Sequence, residues 1–457
     1  MARTGTDQRT SIDMLIEREE ARFVERQPRS RALAERADRS LAGGVTSNWQ
    51  IHRPQAVWID GGRGSRVWDV DGNEYVDLHG GYGVNAVGHA HPAVVAAVSD
   101  RVRRGTHFAQ PTEDAIAVAE DLSRRFGLPQ WRFANSGTEA TMDAVHLMRS
   151  ITGRPCIVKV EGTYHGHHDS VQVSVYQLIE ELGPSNRPFS VPASSGIPRA
   201  ITDLTLVVPF NDPGALESLF DERGPDIAGM IMEPVMMNAG IIQPVPGWLE
   251  AARDVTRAHG SLLAFDEVKT GCTIGPGGAT RRYGVTPDIV CLAKAIGGGV
   301  STAAVGGTAE VMEHIATGAY EQVGTFNGNP LAVAAARAAL TEVLTDEAYA
   351  HFDRLRSIMV DGCRETIDRY GLEAHVVALG AKGCIVFSPT PIRNYRDFLE
   401  IDDRFSHLHW LMQHNGGVFL PPWGKAEQWM LSVQHTEDDV RLFLDNFARL
   451  AQAVGSS

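Results

Sequence analysis

Lys294 closes a short apolar run, Pro287-Asp-Ile-Val-Cys-Leu-Ala-Lys294, and Ala-Ile-Gly-Gly-Gly299 follows it. The run reads as a buried strand and the glycines as a tight exit. A lysine at the end of a buried strand loses hydration, so its pKa falls and its free amine can attack a carbonyl, forming a Schiff base. Upstream, Ser261-Leu-Leu-Ala-Phe-Asp266-Glu-Val268 is a second apolar strand that delivers a carboxylate. Positions 266 and 294 are far enough apart for one strand–crossover–strand unit. Taken singly, a lysine after a strand is more often a solvated strand end, and Phe-Asp-Glu a cap or surface turn. Taken together, an amine for a carbonyl and a carboxylate for a pyridinium nitrogen are the two groups that pyridoxal phosphate (PLP) requires.

Further segments fall in the expected order. Phe133-Ala-Asn135-Ser136-Gly137-Thr138-Glu139-Ala140 passes from strand to helix. Ser136, Gly137 and Thr138 offer backbone N–H groups, two hydroxyls and the positive end of a helix dipole, a cup for a phosphate. Ser-Gly-Thr-Glu is equally a good capping box, and both readings stand. Glu161-Gly-Thr-Tyr164-His165-Gly-His167-His168-Asp169 follows the next strand, and Tyr164 or His165 could stack on a flat ring. Three histidines and an aspartate also raise a metal site; crowding into one loop without separated ligand spacing speaks against it, and no metal is expected. Ile231-Met-Glu233-Pro-Val-Met-Met-Asn238 ends another strand, and Asn238 can bond a phenolic oxygen. Gly324-Thr325-Phe-Asn-Gly-Asn-Pro330 is a glycine-rich turn before a helix, a second phosphate-donor candidate.

The elements that must hold these groups can be traced along the chain. Residues 1–11 read as a disordered tail, and Ser11 to about Leu41 as an amphipathic helix lying on another surface. Val67–Val70 and Glu74–Leu78, joined across Asp71-Gly72, predict a β-hairpin. Helices are expected near 92–104, 113–126, 138–152, 213–223 and 247–259. Strands are expected near 132–135, 156–161, 204–209, 227–233, 261–267, 289–293 and 302–307. Such alternation predicts an α/β fold with a mostly parallel sheet covered on both faces. From Asn329-Pro330 the texture changes to an Ala-rich helix near 330–345, another near 347–370, a sheet segment near 383–388 and helices near 395–415 and 436–453. The division predicted is an N-terminal segment, 1–70, that includes part of a small domain; a large cofactor-binding domain, 71–328; and a C-terminal small α+β domain, 329–457. The formal net charge of −14 argues against nucleic acid or anionic membranes as partners. Five unpaired-looking cysteines, no transmembrane-length run and no apolar leader predict reduced thiols and a cytoplasmic location.

The ordered set Asn135-Ser-Gly-Thr-Glu-Ala140, Tyr164-His-Gly166, Glu233-Pro-Val235, Phe265-Asp-Glu-Val268, Pro287 through Lys294, Gly297-Gly-Gly299 and Gly324 through Pro330 resembles the class III PLP-dependent aminotransferases. The glutamate-1-semialdehyde aminomutase branch is the most similar. Leu41-Ala-Gly-Gly-Val45, Trp68 through Tyr75, Gly88-His-Ala-His-Pro92 and Thr202 through Asp212 extend the match to nearly the whole chain from about residue 40. The resemblance implies fold type I, the aspartate-aminotransferase architecture. It implies that Lys294 carries PLP and shuttles the proton, and that Asp266 keeps the ring nitrogen protonated. It places Ser136, Gly137 and Thr138 on the phosphate, Tyr164 over the ring, Val268 under it and Asn238 on its 3-hydroxyl. Thr325 would reach the phosphate of a partner subunit, making a homodimer with shared sites.

The chain departs from that branch on the substrate side. The aminomutases carry an Arg that grips the substrate carboxylate; here Gly43-Gly-Val-Thr-Ser47-Asn-Trp-Gln50 puts Gln50 in its place. Gln cannot give a charged bidentate grip. Tyr82 stands where the aminomutase has Trp, and Glu427 matches an acidic residue of the small domain. His52 and Arg53 are near enough to rebuild the pocket, Arg53 being able to replace the lost Arg after a loop shift. The substrate-side candidates are thus Ser47, Gln50, Tyr82 and Glu427. The expected activity is transfer of an amino group between an amine, β-amino acid or unusual amino compound and a keto acceptor. The alternatives are a 2,1-aminomutase and a racemase or epimerase of the same fold.

Overall fold

In the computed structural model, residues 5–51, 53–422, 424–426 and 428–455 are described. The central sheet has seven strands in the order Gln130–Ala134, Ala303–Gly307, Ile289–Leu292, Leu262–Asp266, Ile227–Met232, Cys156–Val160, Thr205–Val208. All seven expected strands are present, and only Ala303–Gly307 runs against its neighbours. Cys156–Val160, Ile227–Met232, Ile289–Leu292 and Ala303–Gly307 are buried at every position. Two covered faces demand apolar residues on both sides, which is why these strands read as continuous runs and not as alternation. Alternate residues face opposite ways along a strand. Val158, Met230, Leu263 and Phe265 accordingly pack with Trp248 and Leu249. Their neighbours Ile157, Ile231 and Ala264 pack with Ala140, Ala144 and Met148 on the other side.

Two smaller sheets flank this one. Ile59–Arg63, Arg66–Asp69 and Glu74–Asp77 form an antiparallel meander, and Val418–Phe419 joins it in parallel beside Glu74–Asp77. The chain ends therefore share a sheet, and the boundary drawn at 70/71 lies in the turn of the expected hairpin. His375–Leu379, Lys382–Val386 and Gln428–Met430 make a three-stranded antiparallel sheet. The Ala-rich helix Pro330–Ala338 continues through a wider turn at Ala339–Val343 and packs on Pro92–Arg104 and Glu113–Phe126.

Two N-terminal expectations need correction. The tail is helical from Gly5, and the single helix is two, Gly5–Glu25 and Pro28–Ala37. Pro28 has no N–H to continue the first helix but suits the first turn of the second. The first helix does lie on another surface: Phe23 is buried against Trp410, ring centroids 5.3 Å apart, and Asn415 Nδ2 donates to Glu19 O at 2.9 Å. All five cysteines are buried and none is in a disulfide. Among the described residues, no helix is long and apolar enough to cross a membrane.

Candidate active site

Leu262–Asp266 and Ile289–Leu292 are adjacent parallel strands, with Asp266 paired to Cys291. Asp266 and Lys294 therefore emerge at the same carboxyl edge of the sheet, where open α/β sheets bind ligands. Asp266 is buried and both its oxygens are engaged. Oδ2 lies 2.7 Å from His165 Nδ1, and Oδ1 accepts the Val268 N–H at 3.0 Å. Lys294 has a left-handed backbone, φ +52, a conformation costing on the order of 1–2 kcal/mol in a side-chain-bearing residue. The packed Ala295, Ile296 and Gly297 behind it hold it there. Burial pushes the Lys294 amine below its ordinary pKa, against the opposing pull of Asp266 and Glu233. Strain and a depressed amine at one residue mark a functional position.

The helix Gly137–Thr152 starts beside these groups. Ser136 caps it, its hydroxyl accepting the Glu139 N–H at 3.3 Å. The return bond of a capping box is displaced by one residue: Glu139 Oε2 accepts the N–H of Asn135 at 2.5 Å. Gly137 is close to Val268; a Cβ there would sit 3.0 Å from Val268 Cγ2. Thr138 Oγ1 meets His167 Nδ1 at 3.2 Å.

Each histidine of the 161–169 loop faces a different partner. His165 turns to Asp266, His167 to Thr138 and His168 to Thr141. His165 is thus committed through Nδ1 to the Asp266 carboxylate. Among the described residues no three His, Cys, Asp or Glu side chains converge as metal ligands.

Glu233, quoted only as part of a motif, is the organiser of the opposite wall. Its carboxylate is 3% exposed; it accepts the N–H groups of Tyr164 at 3.1 Å and Met237 at 2.9 Å and the Asn238 amide at 3.0 Å. Trp49 stands over this wall, within 5.6 Å of Tyr164, 5.7 Å of Tyr82 and 6.3 Å of Tyr176 between centroids. Tyr82 donates to Trp49 O at 3.2 Å. No local pattern singles out Trp49, because its neighbours come from two segments distant in the chain.

The remaining substrate-side candidates lie farther out. Ser47 and Gln50 are exposed, and the Gln50 side-chain carbonyl is occupied by the N–H and hydroxyl of Thr46 at 3.0 and 2.8 Å. Glu427 and His52 lie outside the described residues. Thr325 is exposed and its carbonyl meets His107 Nε2 at 2.7 Å. It lines a surface cavity with Arg132, Phe133 and Asn327, apart from Lys294.

The family described as aminotransferase class-III matches residues 49–426. The chain belongs to the class III aminotransferases. It is 40% identical over 423 residues to a glutamate-1-semialdehyde 2,1-aminomutase of Sorangium cellulosum, covering 91% of this chain and 94% of that one. An omega-transaminase from Sphaerobacter thermophilus superposes with TM-score 0.89 at 35% identity, over 94% of this chain and 99% of that one. A glutamate-1-semialdehyde-aminomutase variant from Pseudomonas aeruginosa PAO1, in complex with PMP, gives TM-score 0.89 at 30% identity, over 97% and 99%. The seven-stranded α/β architecture is fold type I, and PLP is the cofactor of this class III family. The residues present fit that group. A depressed lysine, a buried carboxylate fixed from behind by His165 and a capped helix N-terminus surround one space, and His165 Nε2 is buried without a partner beside them.

Proposed function

We propose that this class III aminotransferase moves an amino group between an amino compound and a keto acceptor, with Lys294 and Asp266 as its catalytic pair. The observation that carries this reading is the pairing of their two strands, which sets a depressed amine and a buried, doubly bonded carboxylate at one sheet edge. When bound, PLP supplies a carbonyl that captures the amine and a ring that spreads the charge left by proton removal. The chain's own residues do the rest. Lys294, depressed toward its free-base form, takes and returns the proton at the substrate carbon. Asp266 holds a proton on the ring nitrogen, and His165 keeps that carboxylate in one orientation. Ser136, Gly137 and Thr138 receive the phosphate at the helix N-terminus. Tyr164 and Val268 would hold the two faces of the ring, and Asn238, steadied by Glu233, would bond its 3-hydroxyl. A homodimer belongs to the same reading: Thr325 sits beside the exposed Phe108, Val323 and Phe326, an apolar edge that a second copy would cover while Thr325 reached its phosphate.

The aminomutase names of the curated relatives weigh toward 2,1-aminomutation more than toward intermolecular transfer, and this is the second reading. Against it stands Gln50, uncharged and tied to Thr46. The two separate in one experiment: single amino donors are added to the PLP form without an acceptor. Bleaching with about one keto product per site supports transamination. Glutamate-1-semialdehyde turned over to 5-aminolevulinate at ordinary enzymic rates would replace it with the aminomutase.

A further inference from the structure

Lys382 opens the strand Lys382–Val386 of the three-stranded sheet and pairs across it with Met430. The residue is 2% exposed, and its side chain points to the space that Gly83 leaves open. A Cβ on Gly83 would lie 3.1 Å from both Lys382 Cε and Nζ, and 3.8 Å from Lys294 Cδ. The amine therefore ends toward the stem of Lys294. Among the described residues, Lys382 Nζ has no hydrogen-bond or ion-pair partner. Lys159 shows how this chain otherwise treats a buried lysine: its Nζ donates to the carbonyls of Thr163, Val173 and Ser174 at 3.0, 2.7 and 3.4 Å.

The groups that face Lys382 make its isolation sharper. Lys269 and Lys294 bring positive charge toward it, and burial holds the neighbouring His79 down to a pKa of about 4. The two acids near Lys294 are occupied: Asp266 by His165 and the Val268 N–H, Glu233 by Tyr164, Met237 and Asn238. Burial, with Lys269 and Lys294 adding to it, holds the Lys382 amine well below its ordinary pKa. A buried amine without a counter-charge is destabilising, and replacing it with an apolar side chain would relieve the fold. Such a group fits a ligand that brings the missing negative charge. Gln50, where a guanidinium would have served, is uncharged and turned to its own loop.

We propose that Lys382 binds the carboxylate of the amino substrate. The inference rests on the nitrogen-transfer reading and narrows it: the substrate is an amino acid, not a simple amine. Binding pairs the protonated form of Lys382 with the carboxylate, in a charge-assisted hydrogen bond of the kind buried sites favour.

The test uses full-length holoenzyme, wild type and Lys382→Met, with unreactive probes: butyrate, glutarate and the neutral butyramide, titrated by calorimetry. The expected result is at least a tenfold loss of butyrate or glutarate affinity in Lys382→Met, about 1.4 kcal/mol or more, with butyramide unchanged and melting temperature equal or higher. Equal carboxylate affinity in the two proteins overturns the proposal. Should Lys382→Met not fold, Lys382→Gln takes its place, with the same loss of carboxylate affinity expected and equal affinity again overturning the proposal. The donor experiment separates the two readings. If 3-aminobutyrate and isopropylamine both fail to bleach wild type, nitrogen transfer is in question, while the carboxylate titration still reads Lys382. If both bleach, Lys382→Met is expected to raise KM only for 3-aminobutyrate, and equal effects on both overturn the carboxylate role.

Discussion

Asp266 is fixed by two different partners, and this decides what each substitution at the site should do. The Val268 N–H holds one oxygen and His165 the other, so the carboxylate has one orientation before any ligand arrives. Asp266→Asn keeps the shape and removes the charge. It is expected to lower kcat about 10²–10³-fold, the scale of losing a preorganised electrostatic partner, with the fold retained. Rapid-mixing of the half-reaction would check it, and a rate within about threefold of wild type would remove Asp266 from the mechanism. His165 acts only through Asp266, so His165→Phe is expected to cost less, about tenfold, and to cost nothing further in the Asp266→Asn background. Lys294→Ala should abolish the half-reaction while leaving melting unchanged or raised, since a buried depressed amine is lost.

The strand that delivers Asp266 also delivers Glu267, to the other side, and that second carboxylate builds an element. Glu267 is fully buried and accepts four hydrogen bonds: from the hydroxyls of Thr270 at 2.6 Å and Thr280 at 2.7 Å, and from the N–H groups of Ala279 and Thr280, each at 2.7 Å. It anchors the first turn of the helix Gly278–Tyr283. Gly278 has φ +57, and a Cβ there would fall 2.1 Å from Glu267 Oε2, so only glycine fits. Glu267→Ala strands four buried donors and is expected to destabilise by about 3 kcal/mol or more; Gly278→Ala should do comparable damage by collision. A urea midpoint within error of wild type for Glu267→Ala would show the anchor to be idle. None of this was legible in Phe-Asp-Glu, because three of the four donors to Glu267 come from Ala279 and Thr280, a dozen residues away, and two of those are backbone N–H groups. Four of the seven strands were legible as doubly buried apolar runs, and the proposed catalytic pair because its residues lie at or just past the ends of two neighbouring strands. The helix break at Pro28 was written in the chain but outweighed by the apolar pattern around it. Gln428–Met430 is three residues long, too short for a period, and its pairing with Lys382–Val386 places Lys382. That pairing is long-range, so the lysine beside Lys294 could not be found from spacing.

At the scale of the whole molecule, three sheets meet around one space: Lys294 comes from the edge of the seven-stranded sheet, Tyr82 from the loop after the N-terminal meander, and Lys382 from the small sheet. Keeping them together depends on the packed C-terminal part of the chain, which carries an acid-sensitive residue of its own. His409 is enclosed by Phe387, Phe443 and Phe447, and its Nε2 accepts from the Gln413 side-chain amide at 3.1 Å. Burial holds its pKa down to about 3, from 6.5. Between those values the unfolded chain binds a proton that the folded chain does not, so this residue's contribution falls as pH falls and is fully present only above 6.5. Buried acids such as Glu161 and Glu267, whose pKa values burial raises, have the opposite sign. The total pH profile therefore mixes both, and a single variant isolates the histidine. His409→Leu keeps an apolar side chain among the three phenylalanine rings and removes the proton site. The stability of wild type minus that of His409→Leu is expected to shrink by about 1.4 kcal/mol for each pH unit below 6.5. Urea unfolding of both full-length proteins at pH 7.5, about 6 and about 5 measures it. A difference that stays level across that range would mean that His409 is solvated or paired in the folded chain.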